Sequence, residues 1–207
     1  MKKALFVLLL LTASIGCLEK DTTQTIYIER DGSVTWEVVE REVYSSADKK
    51  EDRLREENEY LRLAVAGCPD IVEGLTEIGG TDVHSELLRD RRPFSLRATA
   101  RFQDLEHALR GLFEAAEIGA EVRLESDGAR RILTIVPVDI EPVNDDEGPV
   151  FELFRSDDFR FVMADGEFEE AEGFTIEEQG RVAIWSDESD ATEDPPTRMR
   201  LVWTLHE

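Results

Sequence analysis

Cysteine, lysine and histidine are all scarce in this chain, and each shortage closes off a class of protein. Two cysteines in 207 residues cannot frame a disulfide-rich scaffold. Only 24 basic side chains face 47 acidic ones, a formal charge of -23, so the basic face that a nucleic-acid partner needs is missing. The three histidines, His84, His107 and His206, form neither an H-x-x-x-H nor an H-E-x-x-H pair, which leaves a zinc site without support. There is no G-x-S-x-G, and Ser95 sits on a predicted strand face with no implied base. Gly-rich phosphate loops are missing, since Gly79-Gly80 reads as a link between elements. The acidic stretches Asn144–Gly148 and Asp187–Asp194 do not fit the calcium-loop pattern and read as solvated loops. No cofactor and no metal is implied.

What is present is a globular composition. A hydrophobic fraction of 41% is too high for a disordered acidic tail, and the length suits one domain or a tight pair. With 47 acids some carboxylates must lie close together, so a carboxylate-based hydrolase stays open as an alternative function.

The N-terminus carries the most specific signal. Lys2 and Lys3 form a positive start, Ala4 to Leu11 an unbroken apolar run, and Thr12 to Gly16 a mostly small-residue stretch ending at Cys17. This is the three-part layout of a secretory signal peptide, and the apolar run is too short for a transmembrane helix of about 20 residues. Leu8 to Cys17 resembles the lipobox of bacterial lipoproteins, departing from it at Ser14, where that family prefers Leu. The resemblance implies cleavage before Cys17 and transfer of acyl chains to its thiol. It also implies that Leu18, standing where an inner-membrane retention signal would have Asp, directs the protein to the outer membrane where a cell has two. Ser14-Ile15-Gly16 also suits an ordinary signal peptidase, which leaves an unlipidated secreted domain as the other reading.

Residues 1-16 are thus expected to be signal peptide and 17-23 a lipidated cysteine with a short tether. Residues 24-207 then form a single α+β domain. The six tether residues, Leu18 to Thr23, would reach about 20 Å when extended. Cys68 falls at the end of a predicted helix on its apolar face, which predicts burial; a Cys17–Cys68 disulfide is the alternative if Cys17 is not acylated.

Alternation places strands at Ile26–Ile28 and Val34–Val38, and keeping their apolar sets on one face demands a three-residue loop, Arg30-Asp31-Gly32. A helix capped by Ser46 follows, with Leu54, Leu61, Val65 and Cys68 as its apolar face. Asp70 to Ile78 reads as a short helix. Residues 81–89 and Phe94–Phe102 form a second hairpin, Asp104 to Ile118 a second main helix stopped by Gly119, and Glu121–Val136 a third hairpin. Short strands at Phe159–Met163, Phe174–Ile176, Val182–Ile184 and Met199–Leu205 complete the chain. The expected fold class is α+β, an antiparallel β-sheet built from hairpins with two main amphipathic helices packed on one face.

One basic feature stands out from the acidic background: Arg89, Arg91, Arg92, Arg97 and Arg101. These form a candidate anion or partner patch, for phosphate headgroups or an acidic partner, set against the plainer reading that they offset neighbouring carboxylates. The expected partners are a membrane, through the lipid anchor, and an envelope protein. The expected role is a binding or assembly module of the cell envelope.

Overall fold

The first hairpin sets the frame. Strands β1 (Leu18–Ile28) and β2 (Val34–Ser45) pair Ile26 with Trp36 and Ile28 with Val34, so the apolar residues of both point to one side. The Glu29 N–H donates to the Ser33 carbonyl and the Gly32 N–H to the Glu29 carbonyl, both at 2.9 Å, closing the three-residue loop Arg30-Asp31-Gly32. Gly32 supplies the left-handed residue that this loop needs, at φ 82. The structure is a computed structural model and describes residues 18–138, 159–185 and 198–205. Cys17, His206 and the two acidic stretches lie outside the described residues.

The hairpin is longer than its alternation suggests. Leu18 pairs with Ser45 and Thr23 with Val39, so the segment read as a tether is strand. Its residues Glu-Lys-Asp-Thr-Thr-Gln lack apolar alternation, and tertiary pairing with β2 overrides that weak local preference.

Helix α1 (Lys50–Val65) begins later than Ser46 predicts, with Lys49 at its cap. It is also turned differently. Glu57, Tyr60 and Ala64 are buried, while Leu54 and Val65 are exposed. At about 100° per residue, the buried stripe lies roughly a quarter turn from the expected one. Polar satisfaction explains the choice: Tyr60 donates to buried Glu40 at 3.0 Å, and Glu57 accepts from the Ser45 backbone N–H at 3.1 Å. Leaving two such groups unpaired would cost more than exposing two aliphatic side chains. Helix α2 (Pro69–Glu77) follows, led by Cys68.

The second hairpin, β3 (Thr81–Arg89) with β4 (Phe94–Phe102), alternates as expected, and Phe94, Leu96, Ala98, Ala100 and Phe102 are all buried. Helix α3 (Leu105–Ala116) is capped by Asp104, whose carboxylate accepts from the His107 N–H at 2.7 Å. Its end is taken by Glu117 in the left-handed region (φ 58), not by Gly119. The third hairpin joins β5 (Ala120–Asp127) to β6 (Arg130–Pro137).

The remaining strands are dealt between two sheets. β7 (Phe159–Met163), β9 (Phe174–Glu177) and β10 (Val182–Trp185) extend the first, giving the order β3-β4-β2-β1-β7-β10-β9. β8 (Glu167–Glu172) and β11 (Met199–Thr204) extend the third hairpin into a sheet of order β5-β6-β11-β8. All pairings are antiparallel except β1 with β7. The fold is α+β. α1 packs Tyr60 and Ala64 against Phe94 and Leu96, and α3 packs beside Ala98, Ala100 and Phe102, so both main helices lie on one face of the larger sheet. The four-stranded sheet joins the same core through Leu133, Leu201 and Trp203. No described helix is long and apolar enough to cross a membrane.

Close packing of α3 against the end of α2 gives a test. A Cβ at Gly111 would lie 2.0 Å from the carbonyl oxygen of Ile78. Alanine favours an isolated helix over glycine by about 1 kcal/mol. Overlap with backbone costs more, typically about 1–3 kcal/mol and higher when nothing can move. Gly111→Ala should therefore destabilise the protein by about 1–2 kcal/mol in urea unfolding. A gain in stability would contradict this packing.

Candidate functional site

The five arginines singled out by the sequence do not form one cluster. Arg89, Arg91 and Arg92 lie in and beside the β3–β4 turn, at the end of the sheet where β1 begins. Arg97 lies mid-strand, paired with Glu86 and, at 3.7 Å, with Glu37. Arg101 reaches the opposite end, 3.4 Å from Asp31 and 3.2 Å from the Ser33 hydroxyl. There it borders an open groove with Glu29, Arg30 and Thr35. Hydrogen bonds from Ser33 hold the Asp31 carboxyl below the usual range, and Arg101 adds to this. Most of the set is thus matched by carboxylates. At the turn, Arg92 sits 3.1 Å from Glu57 and over the Tyr44 ring, and Arg89 stands 3.8 Å from Glu42. Arg91 is exposed and has no ion pair among the described residues.

A second group escaped the sequence reading. Glu40, 4% exposed, accepts from the Lys20 ammonium and from the Tyr60 hydroxyl, so both its carboxylate oxygens are used. The signal was available: Glu40 continues the inward parity of Val34, Trp36 and Val38, which puts a carboxylate on an apolar face. Beside it lies a cavity of about 50 Å³, room for a few waters, walled by Leu18, Leu63, Cys68 and Ile71. Asp70 and Pro69, in the first turn of α2, complete its rim.

Cys68 is a free, buried thiol. Burial, reinforced by the Glu40 and Asp70 carboxylates, pushes its pKa up to about 12. A thiol so protonated at neutral pH is a poor nucleophile. Burial likewise pushes the Tyr60 hydroxyl upward, with Glu40 contributing.

Glu19, Asp31, Glu59, Glu169 and Glu170, whose ionisation is displaced, are all displaced downward, mainly by hydrogen bonds from Tyr44, Ser33, Arg62, Thr204 and Arg200 respectively. A carboxylate-based hydrolase needs one acid held upward as proton donor. Ser95 donates to the Glu40 carbonyl at 2.9 Å and is occupied structurally. His84 is exposed, its ring 3.2 Å from the Thr99 hydroxyl. Among the described residues no three His, Cys, Asp or Glu side chains are grouped to hold a metal ion.

No family model and no curated protein matches this chain. Among solved structures, it is similar to the NMR structure of the folded domain of LppM from Mycobacterium tuberculosis, with a TM-score of 0.38, 12% identity and 94% of each chain covered.

Proposed function

We propose that this chain is a cell-envelope lipoprotein, anchored through acylated Cys17, whose domain acts as a binding or assembly module. The observation that carries the reading is the layout of the leader: Lys2-Lys3, the apolar run Ala4–Leu11, and small residues leading directly into Cys17. The physical case for anchoring is simple. Each buried methylene contributes about 0.8 kcal/mol, so two or more acyl chains hold a protein stably where one does not. Leu18 after the cysteine favours the outer membrane in a cell with two.

The module reading draws on the downward displacement of the carboxylates and on the protonated state of Cys68. The test is metabolic labelling. Radiolabelled palmitate should enter the wild-type chain and be absent from Cys17→Ser. Label persisting in the variant would refute the anchor. Crosslinking in intact cells, with identification of what is captured, then addresses the module's partner.

A further inference from the structure

We propose that the β3–β4 turn, through Leu88, Arg89 and Arg91, is the surface that this domain lays on the headgroup phosphates of an anionic phospholipid bilayer. The inference rests on the anchor at Cys17 and deepens that reading by fixing which way the domain faces.

The first argument is position. Leu18 pairs with Ser45 across the hairpin, and the Ser45 carbonyl accepts from Arg92 at 3.4 Å. Val43 pairs with Phe94 just inside the same line. The start of β1, the end of β2 and the β3–β4 turn therefore lie side by side. With neighbouring strands about 4.8 Å apart, the turn stands on the order of 10–15 Å from the point where the chain leaves toward Cys17.

The second argument is slack. Leu18 is already held in the β1–β2 ladder, so only the cysteine itself separates the acyl chains from folded structure. A bilayer holding those chains must come against this end of the sheet.

The third argument is charge. The chain without its leader has 22 basic and 47 acidic side chains, so an anionic surface repels most of the domain. The turn Arg89-Asp90-Arg91-Arg92 itself carries three positive charges against one negative. Arg92 is held by Glu57 and Tyr44, but Arg91 has no carboxylate among the described residues and Arg89 only a loose one. Both guanidinium groups are therefore available to phosphate oxygens, for which their planar fork is well matched. Leu88, 51% exposed beside them, adds an apolar contact of the kind found at bilayer interfaces. The acyl chains supply affinity; the turn supplies orientation.

The experiment uses the acylated full mature chain in vesicles of phosphatidylcholine alone and of phosphatidylcholine with phosphatidylglycerol, followed by flotation and hydrogen–deuterium exchange. The backbone amides of Leu88 to Arg92 should exchange on the order of tenfold more slowly with phosphatidylglycerol present. The double variant Arg89→Glu, Arg91→Glu should float equally well, keep its urea midpoint and lose that protection. Flotation with equal exchange in the two lipids overturns the orientation while the anchor stands. So does protection appearing at Asp31 and Arg101, the opposite end of the sheet. A wild-type chain that does not float overturns the anchor and the orientation together.

Discussion

Replacing Glu40 with alanine is expected to destabilise the protein by about 3–5 kcal/mol, the range seen when one partner of a buried ion pair is removed. The carboxylate is 4% exposed and its two oxygens serve Lys20 and Tyr60. Its loss leaves a hydroxyl without an acceptor and an ammonium, only 14% exposed, without a counter-charge. The long lysine stem permits some escape toward water, which places the expected value at the lower end of the range. A paired variant sharpens the result. Lys20→Met with Glu40→Leu removes both charges and fills the space, and should recover part of the lost stability, because no desolvated charge is left unpaired while the Tyr60 hydroxyl still lacks its acceptor. Urea unfolding is the suitable measurement, as it leaves ionic strength unchanged. A Glu40→Ala variant within 1 kcal/mol of wild type would mean that the cluster is solvated in solution.

Trp36→Ala should be comparably damaging, at about 3–5 kcal/mol. The indole is 2% exposed and packs between Phe102 at 5.9 Å and Phe159 at 5.8 Å. Phe159 meets Phe161 edge to face, and Phe161 meets Phe174 in the same way, so the aromatic chain links the first two hairpins to the C-terminal strands. Truncation opens a cavity at the join between segments distant in sequence, where collapse is hardest. Trp36→Phe should cost far less. The indole N–H is buried without a hydrogen-bond partner among the described residues, so phenylalanine removes an unsatisfied donor along with some packing. Equal losses for the two variants would show that the N–H finds a partner in solution.

The legible parts of the fold are those where local pattern and tertiary need coincide. Phe94 to Phe102 alternates because one face is core and the other is not, and its structure follows. The Arg30-Asp31-Gly32 loop was legible because a two-residue turn would set Ile28 and Val34 on opposite faces. Failure came where distant polar groups decide. The rotation of α1 is fixed by Glu40 and Ser45, which no helical pattern contains. β8, Glu-Phe-Glu-Glu-Ala-Glu, has one buried aromatic and no strand-like composition. It pairs nonetheless, with Phe168 against Trp203 and its acids facing Arg130, Arg198 and Arg200. The parallel pairing of β1 with β7 joins residues more than 130 positions apart and leaves no local trace. Of the site, strand parity put Arg97 and Arg101 on the polar sheet face with the Arg89–Arg92 turn at one end, but the particular carboxylates that pair with them needed the fold. The Lys20–Glu40–Tyr60 cluster needed the register of three elements before it could be seen.

The shortage of basic residues now reads as a matter of placement as much as number. An acidic domain beside a bilayer gains nothing from its overall charge, whereas the β3–β4 turn next to the chain's entry carries three arginines against one aspartate. Everything about that geometry depends on the cysteine that precedes Leu18. The decisive measurement is the mass of the N-terminal peptide of the mature protein purified from membranes. Acylation predicts that it begins at Cys17 and carries a diacylglyceryl adduct on the thiol. A peptide that begins at any other residue, or at an unmodified Cys17, would contradict the anchor and everything inferred from it.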